Sequence, residues 1–142
     1  CMDTLQSLLV QNQNNLDRLR VRSRYARSLL SGAAYDSRRQ FGPYADFWDE
    51  WYDQARSLAD DLCSDVRATE EFVAELRQFT TGTVVTHSPS SVSAADEMIA
   101  FAKEDVACQK DMLHMADTRI TEHREFTQKL LLVEAIDSLN EE

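Results

Sequence analysis

Residues that break helices are scarce in this chain and confined to two places. Its 142 residues include only three glycines and two prolines, and all five lie within residues 31–43 or 81–92. Elsewhere apolar residues recur every three or four positions, the period of a helix with one apolar face. We therefore predict an all-α fold, a single domain in which three long helices form an antiparallel, coiled-coil-like bundle. The expected helices are about residues 3–30, 45–80 and 93–139, joined by loops at about 31–44 and 81–92.

Cysteines and long apolar runs are also scarce. Cys1, Cys63 and Cys108 are an odd number at wide spacing without a CxxC motif, which argues against a disulfide framework and against a zinc site. No stretch approaches the roughly 18 apolar residues of a membrane-spanning helix. The first residues have no basic flank and no small-residue cleavage site, which argues against a secretory signal. We therefore expect an intracellular protein, cytoplasmic or nuclear.

Motifs that carry catalysis are missing. With three glycines the chain has no glycine-rich phosphate loop, and it has no GxSxG sequence or nucleotide fingerprint. A di-iron bundle needs two Glu-x-x-His motifs, and this sequence contains none. His123 falls on the apolar stripe of the third helix, which predicts a core or interface histidine with a hydrogen-bond partner. We therefore expect no cofactor, no metal and no enzymatic activity.

The charge is acidic and unevenly distributed. The net charge is -10, yet residues 1–40 hold seven arginines and three acids whereas the rest is strongly acidic. An acidic majority argues against nucleic acid as the main partner, because phosphate binding needs a dominant positive field. The favoured interpretation of the basic face is pairing with the second helix, at Arg27 with Asp49, Arg24 with Asp53, and Arg18 with Asp60 and Asp61. The alternative is an anionic-surface patch formed by Arg18, Arg22, Arg38 and Arg39.

Aromatic residues crowd the start of the second helix. Over residues 44–62 the apolar side chains, Phe47 and Tyr52 among them, fall within an arc of roughly 140°, which predicts a wide core face. We expect Trp48 and Trp51 to fill the core at this end of the bundle, level with Phe126. Residues 31–43 either fold over this end with Tyr35 and Phe41 tucked in, or stay mobile.

Polar residues in two places raise further alternatives. Asn12 and Ser23 interrupt the apolar stripe of the first helix, either as devices that fix the helix register or as places where the helix meets solvent. Ser88 precedes Pro89 in a loop, the form of a proline-directed phosphorylation site. A phosphate near the start of the third helix would be electrostatically favourable.

The third helix is the longest of the three. Aligned with the second helix at their shared loop, it outruns that helix from about residue 128, and this overhang carries six large aliphatic residues. Leaving such residues bare would forgo roughly 1.5–3 kcal/mol each. The first loop, a second copy of the chain or a helix of another protein could cover them. The expected partner-binding residues are Leu130, Leu131, Leu132, Val133, Ile136 and Leu139.

The sequence thus favours a non-enzymatic helical interaction module. We interpret the chain as a scaffold or assembly subunit that contacts a protein partner, or forms a homo-oligomer, through the end of the third helix. The alternative is a peripheral module that binds membranes or other anionic surfaces through the arginine-rich face of the first helix.

Overall fold

Three helices make up the fold. The computed structural model describes residues 2–31, 35–36, 42–81 and 89–141. Helix α1 spans Met2–Leu29, α2 spans Ala45–Thr80 and α3 spans Pro89–Asn140. The helices pack against one another, and the described residues form no strand. The predicted all-α bundle of three helices is confirmed, with α3 the longest at 52 residues, or about 78 Å.

The start of α3 differs from its predicted position. The other two helices begin and end within a residue of the expected bounds, but α3 begins at Pro89 rather than at residue 93. The predicted second loop is therefore too long. Proline disfavours helix in its interior, but it suits the first helical position, where its missing N–H needs no partner and its fixed φ matches the helix.

The chain divides into two compact units. The first unit comprises residues 1–21 and 63–114, and the second comprises residues 22–62 and 115–142. Each unit therefore contains a segment of all three helices. The expectation of a single domain stays a prediction.

The first unit has an aliphatic core. Leu5 and Leu8 of α1 pack with Leu76 of α2 and with Ala102 and Val106 of α3. Partly buried residues close this core at its edges, namely Leu9, Phe72, Phe79, Met98 and Ile99. The apolar stripes that the sequence predicted for the three helices meet here.

A buried polar layer lies in the same unit. The Gln109 side-chain amide donates to Oδ1 of Asn12 at 2.6 Å, and its Oε1 accepts from the Asn15 amide at 3.0 Å. The Asn12 amide also donates to the carbonyl of Leu8 at 2.8 Å. Asn12 is buried, so it is not a place where α1 meets solvent. Every buried side-chain polar atom among the described residues has a hydrogen-bond partner.

The second unit has an aromatic core. Trp48 and Trp51 of α2 are buried against Leu130 of α3, with Tyr35, Phe126 and other partly buried residues around them. The Trp51 indole donates to Oγ1 of Thr127 at 2.6 Å. The prediction that both tryptophans fill the core is confirmed. Phe47 is the exception in the predicted arc, because its side chain is 51% exposed.

Tyr35 covers one edge of this aromatic core. Its ring stacks on Tyr52 with 4.6 Å between centroids, and its hydroxyl donates to Asp49 at 2.8 Å. For Tyr35, the alternative in which the first loop tucks its aromatic residues into the bundle is therefore the correct one. Phe41 lies outside the described residues.

In the first unit, the contacts between α1 and α2 lie in a different register from the one that the predicted charge pairs assumed. Arg20 lies 3.4 Å from Glu70, and Arg77 donates to Gln13 at 2.6 Å. Of the acids expected to face the arginines, Asp61 pairs with Arg119 and Asp49 accepts a hydrogen bond from Tyr35. The pairs of Arg27 with Asp49 and of Arg24 with Asp53 stay predictions. The prediction assumed that the hairpin closes tightly at the first loop. Packing of the apolar stripes sets the register instead, because weak exposed ion pairs cannot override it.

Candidate partner-binding surface

The end of α3 remains in contact with α2 further along than expected. The Trp48 indole donates to Glu134, and the Tyr44 hydroxyl donates to Asp137. The prediction that α3 outruns α2 from residue 128 is therefore wrong, since contacts continue to residue 137. Alignment at the shared loop misplaced the register of α3 on α2; the observed register sets Trp51 against Thr127 and Leu130.

Leu130 belongs to the core and not to the predicted binding surface. Its side chain is only 7% exposed and packs with Trp48 and Trp51. The sequence grouped it with its aliphatic neighbours because the expected overhang began before it. The corrected register places it beneath the tryptophans.

The other five predicted residues lie on the surface. Leu132 and Leu139 are 61% and 72% exposed, and the remaining three are between 40% and 48% exposed. At 100° per residue, Leu132 and Leu139 lie on the side of α3 opposite Leu130, whereas Val133 and Leu131 lie on its two flanks. We call this group the outer α3 surface; its members are Leu131, Leu132, Val133, Ile136 and Leu139.

The polarity of this helix end is inverted. Glu134 and Asp137 are turned toward α2, where they accept hydrogen bonds from Trp48 and Tyr44, while the aliphatic side chains are turned outward. The Asp137 carboxylate raises the pKa of the Tyr44 phenol, chiefly because it accepts the hydrogen bond from the protonated hydroxyl. A helix that ended in water would place its acids outward and its leucines inward. The arrangement leaves the apolar side available for a further element.

The predicted anionic-surface patch is not a set of unpaired arginines. Arg22 binds Asp117 of α3 through two hydrogen bonds of 2.6 and 3.2 Å. Arg18 lies on the exposed side of α1. Arg38 and Arg39 lie outside the described residues, as does the predicted phosphorylation site at Ser88.

His123 is a core histidine, as predicted. Its ring lies 4.8 Å from the Trp51 ring, and Nε2 lies 3.1 Å from the Trp51 carbonyl oxygen. Burial lowers the pKa of this imidazole because it disfavours the charged form, while the hydrogen bond to the Trp51 carbonyl acts in the opposite direction. The His123 side chain is therefore part of the core, and its hydrogen bond is made inside the bundle.

The side chains that could bind a metal are dispersed. Within the part of the chain that the structure describes, no three His, Cys, Asp or Glu side chains are grouped to hold a metal ion. No helix within residues 2–31, 42–81 and 89–141 is long and apolar enough to cross a lipid bilayer.

Phe47 is a surface residue that the sequence analysis assigned to the core. It lies at one edge of the aromatic arc of α2, and Tyr52 lies at the other edge. Tyr35 covers Tyr52, whereas Phe47 stays exposed beside Tyr44, with 6.3 Å between ring centroids. Its edge position was the available signal, because residues at the edge of a stripe are buried only where a neighbouring element reaches them.

Comparison with known proteins found no counterpart: no family model, no curated protein and no solved structure matches this chain.

Proposed function

We propose that this chain is a non-enzymatic helical interaction module, a scaffold or assembly subunit that associates by helix packing on the outer α3 surface. The observation that carries the proposal is the inverted polarity of the end of α3, where acids bind inward and five aliphatic residues face outward. Burying one such side chain contributes about 1.5–3 kcal/mol. A partner helix laid along this side would therefore gain most of its affinity from a few of these residues.

Two further observations are consistent with this proposal. Contacts between α1 and α2 run in reverse order, Gln13 with Arg77 and then Arg20 with Glu70, which supports an antiparallel bundle able to present one helix end to a partner. Cys63 and Cys108 are free thiols, which supports a reducing, intracellular location.

The anionic-surface alternative is weaker. It needs arginines that are available to phosphates or lipid headgroups, and Arg22 already binds Asp117 with two hydrogen bonds. Sedimentation with anionic vesicles at low and high salt tests this alternative. Salt-sensitive binding would revive it.

The experiment that tests the proposal compares two double variants of the tagged chain in its native cells. Leu132→Gln with Leu139→Gln removes apolar area from the outer α3 surface. Phe101→Gln with Met115→Gln makes the same chemical change on α3 at two residues of similar exposure, 54% and 62%. Quantitative mass spectrometry of the co-isolated proteins, combined with light scattering of the purified chains, measures association.

We expect the first double variant to lose its main partner by about tenfold or more, because anchor residues at helix interfaces carry at least about 1.4 kcal/mol. The control variant is expected to retain the partner at the level of the unaltered chain. If the partner is a second copy, the first variant becomes monomeric in light scattering. Equal association by all three proteins would refute the proposal.

A further inference from the structure

Two cavities of about 560 and 410 Å³ lie between α2 and α3, and Phe126 lines both of them. The residues that line them come from α3 and from residues 44–58. We call these two cavities together the α2–α3 groove. It spans about 14 residues of α2, or roughly 21 Å, the length of about four helical turns.

One end of the groove is apolar. Tyr44 and Phe47 form one wall, and Phe126, Leu130 and Val133 form the other, with Lys129 at the rim. Phe47 is exposed by about half and Val133 by 40%. An exposed aromatic side chain beside a concave apolar wall is typical of a pocket that receives an anchor residue.

The other end of the groove is acidic. Glu50, Asp53 and Glu122 line it and are exposed. Arg119 also lies there, but its guanidinium binds Asp61 at 2.7 Å and Ser57 at 3.2 Å. The three carboxylates therefore dominate the electrostatic potential at this end, which favours a cationic segment.

We propose that the α2–α3 groove binds an amphipathic helix of a partner protein, with large apolar side chains at one end and Lys or Arg side chains at the other. Such a helix would be the fourth helix of the bundle. Its apolar end would pack on Phe47 and Val133, and its basic end would pair with Glu50, Asp53 and Glu122.

A second copy of this chain fits the groove poorly. A two-fold axis along the groove would bring the carboxylates of both copies together, whereas an axis across it would set the carboxylates of each copy against the largely apolar end of the other. Like charges in the first arrangement oppose association. The second arrangement would remove the carboxylates from water at an apolar wall, which opposes association. The charge of the groove thus favours a different, basic partner.

This inference goes beyond the proposed function, because the groove lies on another side of α3 and shares only Val133 with the outer α3 surface. Leu132 and Leu139 lie about 100° or more around the helix from Val133, so they are outside the groove. A failure at one surface can therefore be distinguished from a failure at the other.

The test uses the full chain and two dye-labelled synthetic helical peptides of about 18 residues. Both peptides carry leucine at helical spacing along their first half; one carries lysines along its second half and the other carries glutamates. Fluorescence anisotropy at low and high salt measures binding. We expect the lysine peptide to bind at least about tenfold more tightly than the glutamate peptide, and high salt to weaken it.

Matched variants assign the binding to the groove. Glu50→Gln, Asp53→Asn and Glu122→Gln together are expected to weaken the lysine peptide about tenfold. The control combination Glu71→Gln, Asp96→Asn and Asp111→Asn makes the same change in charge at exposed acids outside the groove and is expected to have a much smaller effect. Phe47→Ala is expected to weaken binding, whereas Phe101→Ala, at a residue of similar exposure, is not. The double variant Leu132→Gln with Leu139→Gln is expected to bind the lysine peptide as tightly as the unaltered chain does.

Three results would overturn the proposal. In the first, the two peptides bind equally. In the second, the groove variants bind the lysine peptide as tightly as their controls do. In the third, light scattering finds that the chain alone is a dimer that Phe47→Ala converts to a monomer, so that a second copy occupies the groove.

Discussion

The cores of the two compact units differ in composition and in where they place polar groups. The first unit encloses aliphatic residues and a polar layer, in which Asn12, Asn15 and Gln109 bind one another inside the bundle. The second unit encloses tryptophans and turns two acids inward, while five aliphatic residues of α3 face outward.

The two units also differ in how their polar groups are satisfied. The buried amides of the first unit are satisfied by its own helices. In the second unit the inward acids bind Trp48 and Tyr44, which leaves the apolar side of α3 without a matching surface among the described residues. We infer that partner binding is a property of the second unit.

The largest expected effect tests whether the aromatic core holds the second unit together. Trp51→Ala removes a buried indole, its hydrogen bond to Thr127 and its contact with His123. We expect the free energy of unfolding to fall by about 3–5 kcal/mol, measured by urea denaturation. Met115→Ala, at an exposed residue of the same unit, is the control with an expected cost below about 0.5 kcal/mol. Similar costs for both variants would contradict the assignment of Trp51 to the core.

The next effect tests the polar layer of the first unit. Gln109→Leu leaves Oδ1 of Asn12 and the side-chain amide of Asn15 without their partners, which is expected to lower the free energy of unfolding by about 2 kcal/mol. Replacing all three residues by leucine removes the unsatisfied groups and is expected to recover most of that stability. Thermal and urea denaturation of both variants measure the difference. A triple variant that is less stable than Gln109→Leu would show that the layer is not a closed network.

The buried histidine of the second unit is expected to make the free energy of unfolding depend on pH. The folded chain holds the pKa of His123 below its ordinary value of 6.5, chiefly through burial. The unfolded chain therefore binds this proton first as the pH falls. The contribution of His123 to stability is full above pH 6.5 and is lost as the pH falls from there through the lowered pKa.

We expect His123→Phe to remove this loss of stability below pH 6.5 and His114→Phe, at an exposed position, to retain it. Asp105 has the opposite sign, because burial and the nearby Glu104 and Glu75 raise its pKa, but it is present in both variants. Urea denaturation at a series of pH values provides the measurement. The same pH profile in both variants would contradict the environment described for His123.

The smallest expected effect on stability is at the outer α3 surface. Leu132→Gln with Leu139→Gln changes residues that are already exposed to water, so the free energy of unfolding of the isolated chain is expected to change by no more than about 0.5 kcal/mol. Phe101→Gln with Met115→Gln is expected to behave alike. A cost of several kcal/mol for the first pair alone would mean that these leucines are buried by the chain itself, and the contrast between the units would disappear.

Local sequence patterns predicted the helices better than they predicted the contacts between them. The bounds of α2 and the burial of Trp48, Trp51 and His123 follow from spacing and from breaker residues. The helix register does not, because a long first loop permits many alignments of α1 with α2 and the expected ion pairs were too weak to choose among them. The start of α3 was predicted too far along the chain, because Pro89 was interpreted as a helix breaker rather than as a first helical residue.

The candidate site was predicted in part for the same reason. Five of the six aliphatic residues are exposed as expected, but Leu130 is buried because the true register moves the end of α2 further along α3. The exposure of Phe47 was not predicted, because the sequence places it on the aromatic arc and does not show that Tyr35 stacks on Tyr52 at the other edge of that arc. Such long-range choices are made by tertiary packing, which periodicity along one helix does not encode.

Photo-crosslinking in native cells tests most directly whether the outer α3 surface binds a partner. A benzoylphenylalanine residue is placed at position 132 on the outer α3 surface in one chain, and at position 115, an equally exposed site on α3, in another. We expect one discrete adduct from position 132 on illumination and none from position 115, and we expect the adduct to be lost when Leu139 is replaced by Gln. Absence of an adduct from position 132, or the same adduct from both positions, would contradict partner binding at this surface.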